Sequence, residues 1–562
     1  LSAHGVLQER LTFDADISDL SGLVPAARGR LVSRGWLRWK EHHVAGYFES
    51  SGKNLLVAGL NVKALDVRGR VDDGKEAAVE LRARMDGLAY QSFSLDSAFV
   101  NISGRMDHHT VMIHVHWPKR EVKSLFEGTY HEGEWHGKIV SLTGTDPMGS
   151  WNLQTWVPLN LSSRGLRLES FVITSAKGEK VAVTVDLRWD RLRGSLSAEW
   201  NDLNLARLSP LLNRNDLTGL STGKFRVRWL DEDRFQFNST VRLTGAYQHG
   251  PMTIRVSRAQ GNLDWNEAGL QGLFDIDLRE NGRVSVTLSS PQPARFAFPE
   301  QAIMKAVWEN INLKFVRPWL PSSLGLEGSV TGRATGQWSK GKSFDTQGEL
   351  EISRGMVWWQ REEGPMSDSL KKAYLRWSWG GEQLSGDLSL TFSELGALDG
   401  SFQLPVIARL PLSLHHTAPI RISLHGNVEE KGLLSVLLPD LIRESKGQVH
   451  LNLNSRGTWK NPQLEGNFQF VDSKVHLLTD RRSKKFLMLH LSRGSLSFHW
   501  GEKGGSASIM LRFADGGRLN GELSTGEAAR MGFPEYGEMK AKWEAFPLEL
   551  FHSWLPEGFE LE

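Results

Sequence analysis

Cysteine is absent from all 562 residues, which excludes disulfide and thiolate–metal frameworks. Its absence fits an oxidising compartment entered without disulfide chemistry. No apolar run of about 18 residues occurs, so no segment can cross a membrane as a helix. An excess of one charge is missing too: 67 basic residues meet 65 acidic ones, interspersed, for a net charge of +2. Nucleic-acid binding needs a concentrated basic footprint, so no nucleic-acid partner is expected. Tyrosine is scarce, at 6, beside 21 Trp and 56 Gly, a balance that points to β-structure with many tight turns. The chain opens at Leu1 with neither a starting Met nor a signal peptide. It reads as an internal fragment of a longer protein whose targeting segment lies upstream.

What the chain does have is period-2 alternation nearly everywhere. "VAVTVDLRW" sets Val181, Val183, Val185, Leu187 and Trp189 against Thr184, Asp186 and Arg188. "KFRVRW" sets Phe225, Val227 and Trp229 against Lys224, Arg226 and Arg228. The pattern continues through Phe235, Phe237, Val241 and Leu243, then Ile254 and Val256. Phe274, Ile276 and Leu278 follow, then Val284, Val286 and Leu288. Later come Val449, Leu451 and Leu453, then Phe468 and Phe470, and finally Ile509, Leu511 and Phe513. Successive strand side chains point to opposite faces, so these residues make one apolar face per strand. Turn clusters such as "RENGR" and "DGGRLNG" separate the strands at hairpin spacing. Parallel strands would need crossover helices, so the fold class is all-β with a mostly antiparallel sheet.

The sequence also repeats. Residues 298–321 return at 533–556, a shift of 235. Phe298, Pro299, Glu300, Met304, Lys305, Ala306, Trp308, Glu309, Leu313, Trp319, Leu320 and Pro321 all meet an identical residue there. Short stretches such as "LKFVRPWLP", "GLLSVLLPDL" and "LELFHSWLP" carry apolar residues at helical spacing and stop near Pro321, Pro439 and Pro556, 118 and 117 apart. Each predicts one or two amphipathic helical turns at a repeat boundary. "NLARLSPLLN" and "DLSGLVP" are looser versions. The approximate units are 1–203, 204–311, 312–429 and 430–547, with 548–562 starting another. Stacked units predict one elongated body, on the order of 200 Å long if the sheet is continuous.

Candidate chemistry is thin. "GQWSKGKS", residues 336–343, fits a phosphate-loop pattern, but "FDTQGELEIS" after it alternates as a strand where a helix is required. His114 and His116 share a strand face, yet no third ligand accompanies them, so a solvated face is expected. "HEGEWH" has the wrong spacing for zinc, and the histidine pairs at 42 and 415 are isolated. No nucleophile elbow or isolated carboxylate pair appears, and neither an enzyme, a metal nor a cofactor is expected. That leaves the apolar face, which suits either a filled core between two sheets or an open groove. Exposed apolar surface above a few hundred Å² is rare on soluble proteins, which favours the core.

Family resemblance favours the groove. "LKFVRPWLPSSLGLEGSVTGRATGQW" and "GLLSVLLPDLIRESKGQVHLNLNSRGTWKNPQLEGNFQF" resemble the TamB branch of the AsmA-like superfamily, most clearly between about 200 and 562. Asn213 and "SKGKSFDTQG" depart from the pattern. The resemblance implies a sheet curled lengthwise into a U-shaped trough, a β-taco, with an apolar interior. It implies a periplasmic protein of a two-membrane envelope, held in the inner membrane by a helix outside this fragment. It further implies phospholipid as cargo and an outer-membrane partner of the BamA/TamA type. The alternative is a scaffold for outer-membrane protein or autotransporter assembly with such a partner. The repeat then keeps one lining at every height, and the trough is expected to continue past Glu562.

Overall fold

The computed structural model describes residues 2–545, apart from 23, 25–26, 41–42, 74–76, 91–92, 191, 209–216, 250–251, 280–281, 315–323, 341–343, 362–363, 408–412, 415–416, 432–441, 481–484 and 530–535. Among the described residues there are 35 strands, two 3-10 turns and no α-helix. The chain divides into two compact units, Leu1–Gln271 with Pro293–Phe298 and Gly272–Gln292 with Pro299–Glu562.

In the first unit, antiparallel strands run from Ser2–Val6 to Met252–Asn266, each bonded to its neighbours in sequence. One lane is split. Glu134–Asp146 pairs with two short strands in succession, Gly149–Leu153 and Val157–Ser162, and both pair onward with Gly165–Ser175. The second unit repeats the meander from Gly282–Ser290 to Glu538–Glu544. A two-residue hairpin, Val406–Ile407 with Ser413–Leu414, stands apart from it. The all-β antiparallel expectation is met, because hairpin-spaced turns leave every strand only its sequence neighbour to pair with.

Register slips recur at the repeat spacing. In the first unit the pairing of Arg193–Asn204 with Leu217–Trp229 slips between Trp200 and Leu203. In the second, Gln301–Asn312 on Leu324–Ser339 slips between Trp308 and Ile311. The extra residue is left-handed in both, Asp202 at φ 51° and Asn310 at φ 53°. Asp and Asn tolerate that region best among residues with a side chain. Each donates its backbone N–H to a threonine on the next strand, Thr222 at 3.0 Å and Thr331 at 3.2 Å. A second slip centres on Gly328 (φ 123°) and returns at Gly447 (φ 138°). Only glycine adopts such angles freely.

At the repeat boundaries the described residues reach only the start of two of the looser markers, and both begin with a 3-10 turn. Where "NLARLSP" predicts an amphipathic helix, the structure has one 3-10 turn, Leu205–Leu208, opened by the Asn204 side chain accepting from the Ala206 N–H at 3.0 Å. "DLSGLVP" likewise gives only Leu20–Gly22. "LKFVRPWLP" enters its turn through an Asn312 side chain that accepts from Lys314 N–H at 2.9 Å, and the rest of it, 315–321, lies outside the described residues. "GLLSVLLPDL" and "LELFHSWLP" lie outside the described residues as well.

Fully buried apolar side chains are sparse. Two packed clusters occur in the second unit: Val475, Leu489, Leu491, Leu511 and Phe513, and the pair Leu395–Val428 with Val357, Phe392 and Leu451 against it. Val357 reaches that pair although Gly364–Gly380 and Gln383–Phe392 intervene in the sheet. The apolar face of this unit therefore curls inward on itself there.

Candidate functional site: the apolar face and its two lips

Alternation places every predicted lining residue on a half-buried or buried position. Val185, Val449, Leu511 and Phe513 are buried; the others are half-buried. In the first unit, register joins Val185 to Leu196, Leu196 to Val227, and Val227 to Phe237. Val181 faces Trp200 and Val183 faces Ala198. Phe225 packs between Trp200, tilted at 55° with centroids 6.3 Å apart, and Phe237, stacked with centroids 6.4 Å apart. Leu187, Val241 and Leu243 lie opposite Gly194, Gly223 and Ser221. Trp229 pairs with Phe235, Ile254 with Tyr247, and Val256 with Gly245.

In the second unit Gly269–Leu278, which carries Phe274, Ile276 and Leu278, pairs with Gly282–Ser290. Val284, Val286 and Leu288 oppose Trp308, Ala306 and Met304. Val449, Leu451 and Leu453 oppose Val428, Gly426 and Leu424 on one side and Phe470, Phe468 and Gly466 on the other. Ile509 opposes Leu496, Leu511 opposes Gly494, and Phe513 opposes Leu491. Leu196, Ala198 and Trp200 belong to the same face. Their signal in "GSLSAEW" is weak because Ser and Ala dilute the alternation.

Glycines seat the aromatic rings. A methyl group built on Gly223 would stand 2.6 Å from the Trp200 ring, and one on Gly332 would stand 2.7 Å from that of Trp308. Such glycines in mid-strand mark close approach of a large side chain.

In an antiparallel meander alternate connections fall at the same strand ends, which gives each unit two lips. One, the hairpin lip, holds tight turns such as 131–134 and 162–165 in the first unit, and 380–383 and 501–504 in the second. The strand ends flanking 205–216, 313–323 and 432–441 all lie on the other, the marker lip. At the hairpin lip the apolar stripe ends in tryptophan on several strands. These are Trp39, Trp135, Trp189, Trp229 and Trp265 in the first unit, and Trp338, Trp379 and Trp500 in the second. Indole carries an apolar body and one polar N–H, which suits a boundary between grease and water. Trp379 donates to the Val406 carbonyl and Trp500 to that of Glu527, both at 2.8 Å. Trp135 donates to His109 Nε2 at 2.8 Å, and His109 Nδ1 lies 3.1 Å from the Arg105 carbonyl.

At the marker lip of the first unit Arg207 lies under the Trp151 ring at 4.6 Å and pairs with Asp146 and Glu179. The Arg207 and Glu179 side chains are 5% and 4% exposed, so this is a buried ionic pin. Burial alone would raise the Glu179 pKa. Hydrogen bonds from Arg207, Ser175 and the Asn204 N–H, with the Arg207 charge, overcome it and hold the carboxyl at about 2. The pin ties the turn Leu205–Leu208 to a strand end at Asp146 and a turn at Glu179, 61 and 28 residues away.

The opposite face is polar and carries cross-strand ladders. Arg333 pairs with Glu349 at 2.5 Å, and Tyr374 donates to Glu349 at 2.6 Å. That hydrogen bond, followed by the charge of Arg333, keeps the Glu349 carboxyl below its usual range. A shallow hollow of about 770 Å³ runs along these ladders, bordered by Arg333, Arg376, Asp387, Ser401, Arg421 and Arg456. His114 lies 2.5 Å from Glu121, and His116 lies 3.5 Å from Asp96. Among the described residues no three metal-ligating groups converge. His42 and His415 lie outside the described residues. Gly336–Ser339 is strand and Asp345 begins another, while 341–343 lie outside the described residues.

The described strands form a repeated antiparallel meander, apolar on one face and charged on the other. Residues 1–297 and again 293–470 match the family described as TamB, N-terminal domain, and the chain belongs to that family. The match takes in the stretch before residue 200, where the repeat markers are weakest, and reaches 470. No curated protein and no solved structure gives a significant match. The family points to a periplasmic envelope protein concerned with lipid transport or outer-membrane protein assembly, non-enzymatic work in either case. No helix among the described residues is long and apolar enough to cross a membrane.

Proposed function

We propose that this chain is part of a conduit carrying phospholipids between the inner and outer membranes along its apolar face. The observation behind the reading is that the apolar stripe passes from strand to strand in register while its residues stay mostly half-buried. Acyl chains would complete that burial, at about 0.8 kcal/mol per methylene. A lining repeated from strand to strand offers the same gain at each step, so a lipid meets no deep trap and the protein performs no chemistry. A membrane anchor outside this chain and an outer-membrane partner of the BamA/TamA type belong to the same proposal. Mass spectrometry of lipids that co-purify with the chain tests it. Phospholipid in stoichiometric or greater amount is expected, and lipid-free protein whose apolar face resists solvent exchange would overturn it.

A further inference from the structure

The hollow on the polar face of the second unit, about 770 Å³, has no part in the conduit reading. It lies across the strands from Leu324–Ser339 to Ile442–Gly457, and two rows of side chains run along it. One row is charged and largely satisfied within itself. Register carries it from Arg333 to Glu349, Arg376 and Asp387, with the signs alternating. Glu349 pairs with Arg333 at 2.5 Å and lies 3.9 Å from Arg376. The other row, two residues nearer the hairpin turns, holds no carboxylate. Gln347 is opposite Ser378, Ser378 opposite Ser385, Ser385 opposite Gln403, and Gln403 opposite Arg421. Arg421 faces Arg456 in turn, because the Ile422–Ser455 pair and the Pro419–Thr458 bridge on either side share one register. The Ser385 hydroxyl donates to the Ser378 carbonyl at 3.3 Å. The side chains of Gln347, Ser378, Gln403, Arg421 and Arg456 have no hydrogen-bond or ion-pair partner among the described residues. Like charges directly opposite each other destabilise a sheet. The row is thus a run of free amide and hydroxyl groups ending in two unneutralised guanidinium groups.

We infer that this row binds a phosphorylated saccharide, with the phosphate between Arg421 and Arg456 and the sugar along Gln403, Ser385 and Ser378. A phosphomonoester carries about −1.5 to −2 charges at neutral pH, which matches two guanidinium groups and removes their repulsion. Guanidinium also recognises phosphate in bidentate fashion. A single carboxylate would neutralise only one of the two. Neighbouring strands stand about 4.8 Å apart, so the three steps from Arg421 to Ser378 span roughly 14 Å, the reach of a short oligosaccharide. Amide and hydroxyl side chains both donate and accept, as sugar hydroxyls require. A peptide strand has no place here, because each strand beneath the row is already bonded on both sides.

Calorimetric titration of the full chain with maltotriose 6-phosphate, maltotriose, inorganic phosphate and glucuronic acid tests the site. The phosphorylated trisaccharide should bind about 10-fold or more tightly than any of the other three. Arg421→Gln with Arg456→Gln should weaken it about 10-fold, to the level of maltotriose. Gln403→Ala should weaken both saccharides and leave inorganic phosphate unchanged. All three positions are exposed, so the fold is retained, and the doubly substituted chain should melt no lower than the natural one. Absence of binding by the phosphorylated trisaccharide would overturn the inference. So would equal binding of inorganic phosphate, or full affinity in the doubly substituted chain. The row lies on the face opposite the apolar lining, so lipid that co-purifies with this variant should be unchanged and the conduit reading is tested separately.

Discussion

Gly223 and Glu179 mark two kinds of single-residue dependence. Gly223 leaves room for the Trp200 ring, and a methyl there meets that ring at 2.6 Å and the Thr240 carbonyl at 2.7 Å. Gly223→Ala should therefore destabilise the first unit by about 1–3 kcal/mol, read as a lower denaturation midpoint. Glu179 gives a pH dependence whose sign follows from its lowered pKa. Its folded value of about 2 lies below the ordinary 4.5, so the stabilisation is complete above pH 4.5 and is lost as the pH falls toward 2. About 3 kcal/mol is the upper bound for that loss. Thermal melts between pH 7 and pH 2.5 should show the decline in the natural protein and a shallower one in Glu179→Gln. Val227 was legible in sequence, because Arg226 and Arg228 flank it and alternation needs only local information. The Arg207 pin was not, since Asp146 and Glu179 stand 61 and 28 residues away and nothing local links them.

At the scale of the element, the bulges are the structural form of the repeat. Asp202 and Asn310 are 108 positions apart and hold the same left-handed turn, with the same threonine contact. Asn310→Val should cost about 1–2 kcal/mol, because a β-branched side chain resists that conformation. Asn310→Gly should be tolerated. Hydrogen exchange of the pairing between Gln301–Asn312 and Leu324–Ser339 would report the difference, with faster exchange expected from Ile311 onward in the valine variant. The run after the Asp202 bulge opens with a 3-10 turn, Leu205–Leu208, where its apolar spacing predicts a helical turn. The strands themselves were legible, because each has one wet and one apolar side and hairpin turns at both ends.

For the whole molecule, the conduit reading predicts that one charge anywhere along the stripe interrupts it. Val227→Asp in the first unit and Leu451→Arg in the second each put a charge on the apolar face, far from any partner. Each variant should fold, since the neighbouring strands keep their backbone pairing, and each should lower delivery of phospholipid to the outer membrane at least 10-fold. Normal lipid supply in cells whose only copy is either variant would be the contrary result. Sequence alone left the apolar face open to two readings, a filled core or an open groove, because both require the same alternation. Leu451 packs against the Leu395–Val428 pair, whereas Trp338 and Trp379 are half-buried.

Strand order has a consequence for how such a molecule is made. Nearly every strand bonds to the one synthesised just before it and the one just after, so almost no pairing waits for a distant part of the chain. Long sheets are usually slow to form because remote segments must find each other. Here the polypeptide can zip up turn by turn as it emerges, and damage to one hairpin frays its immediate neighbours while the remainder stays assembled.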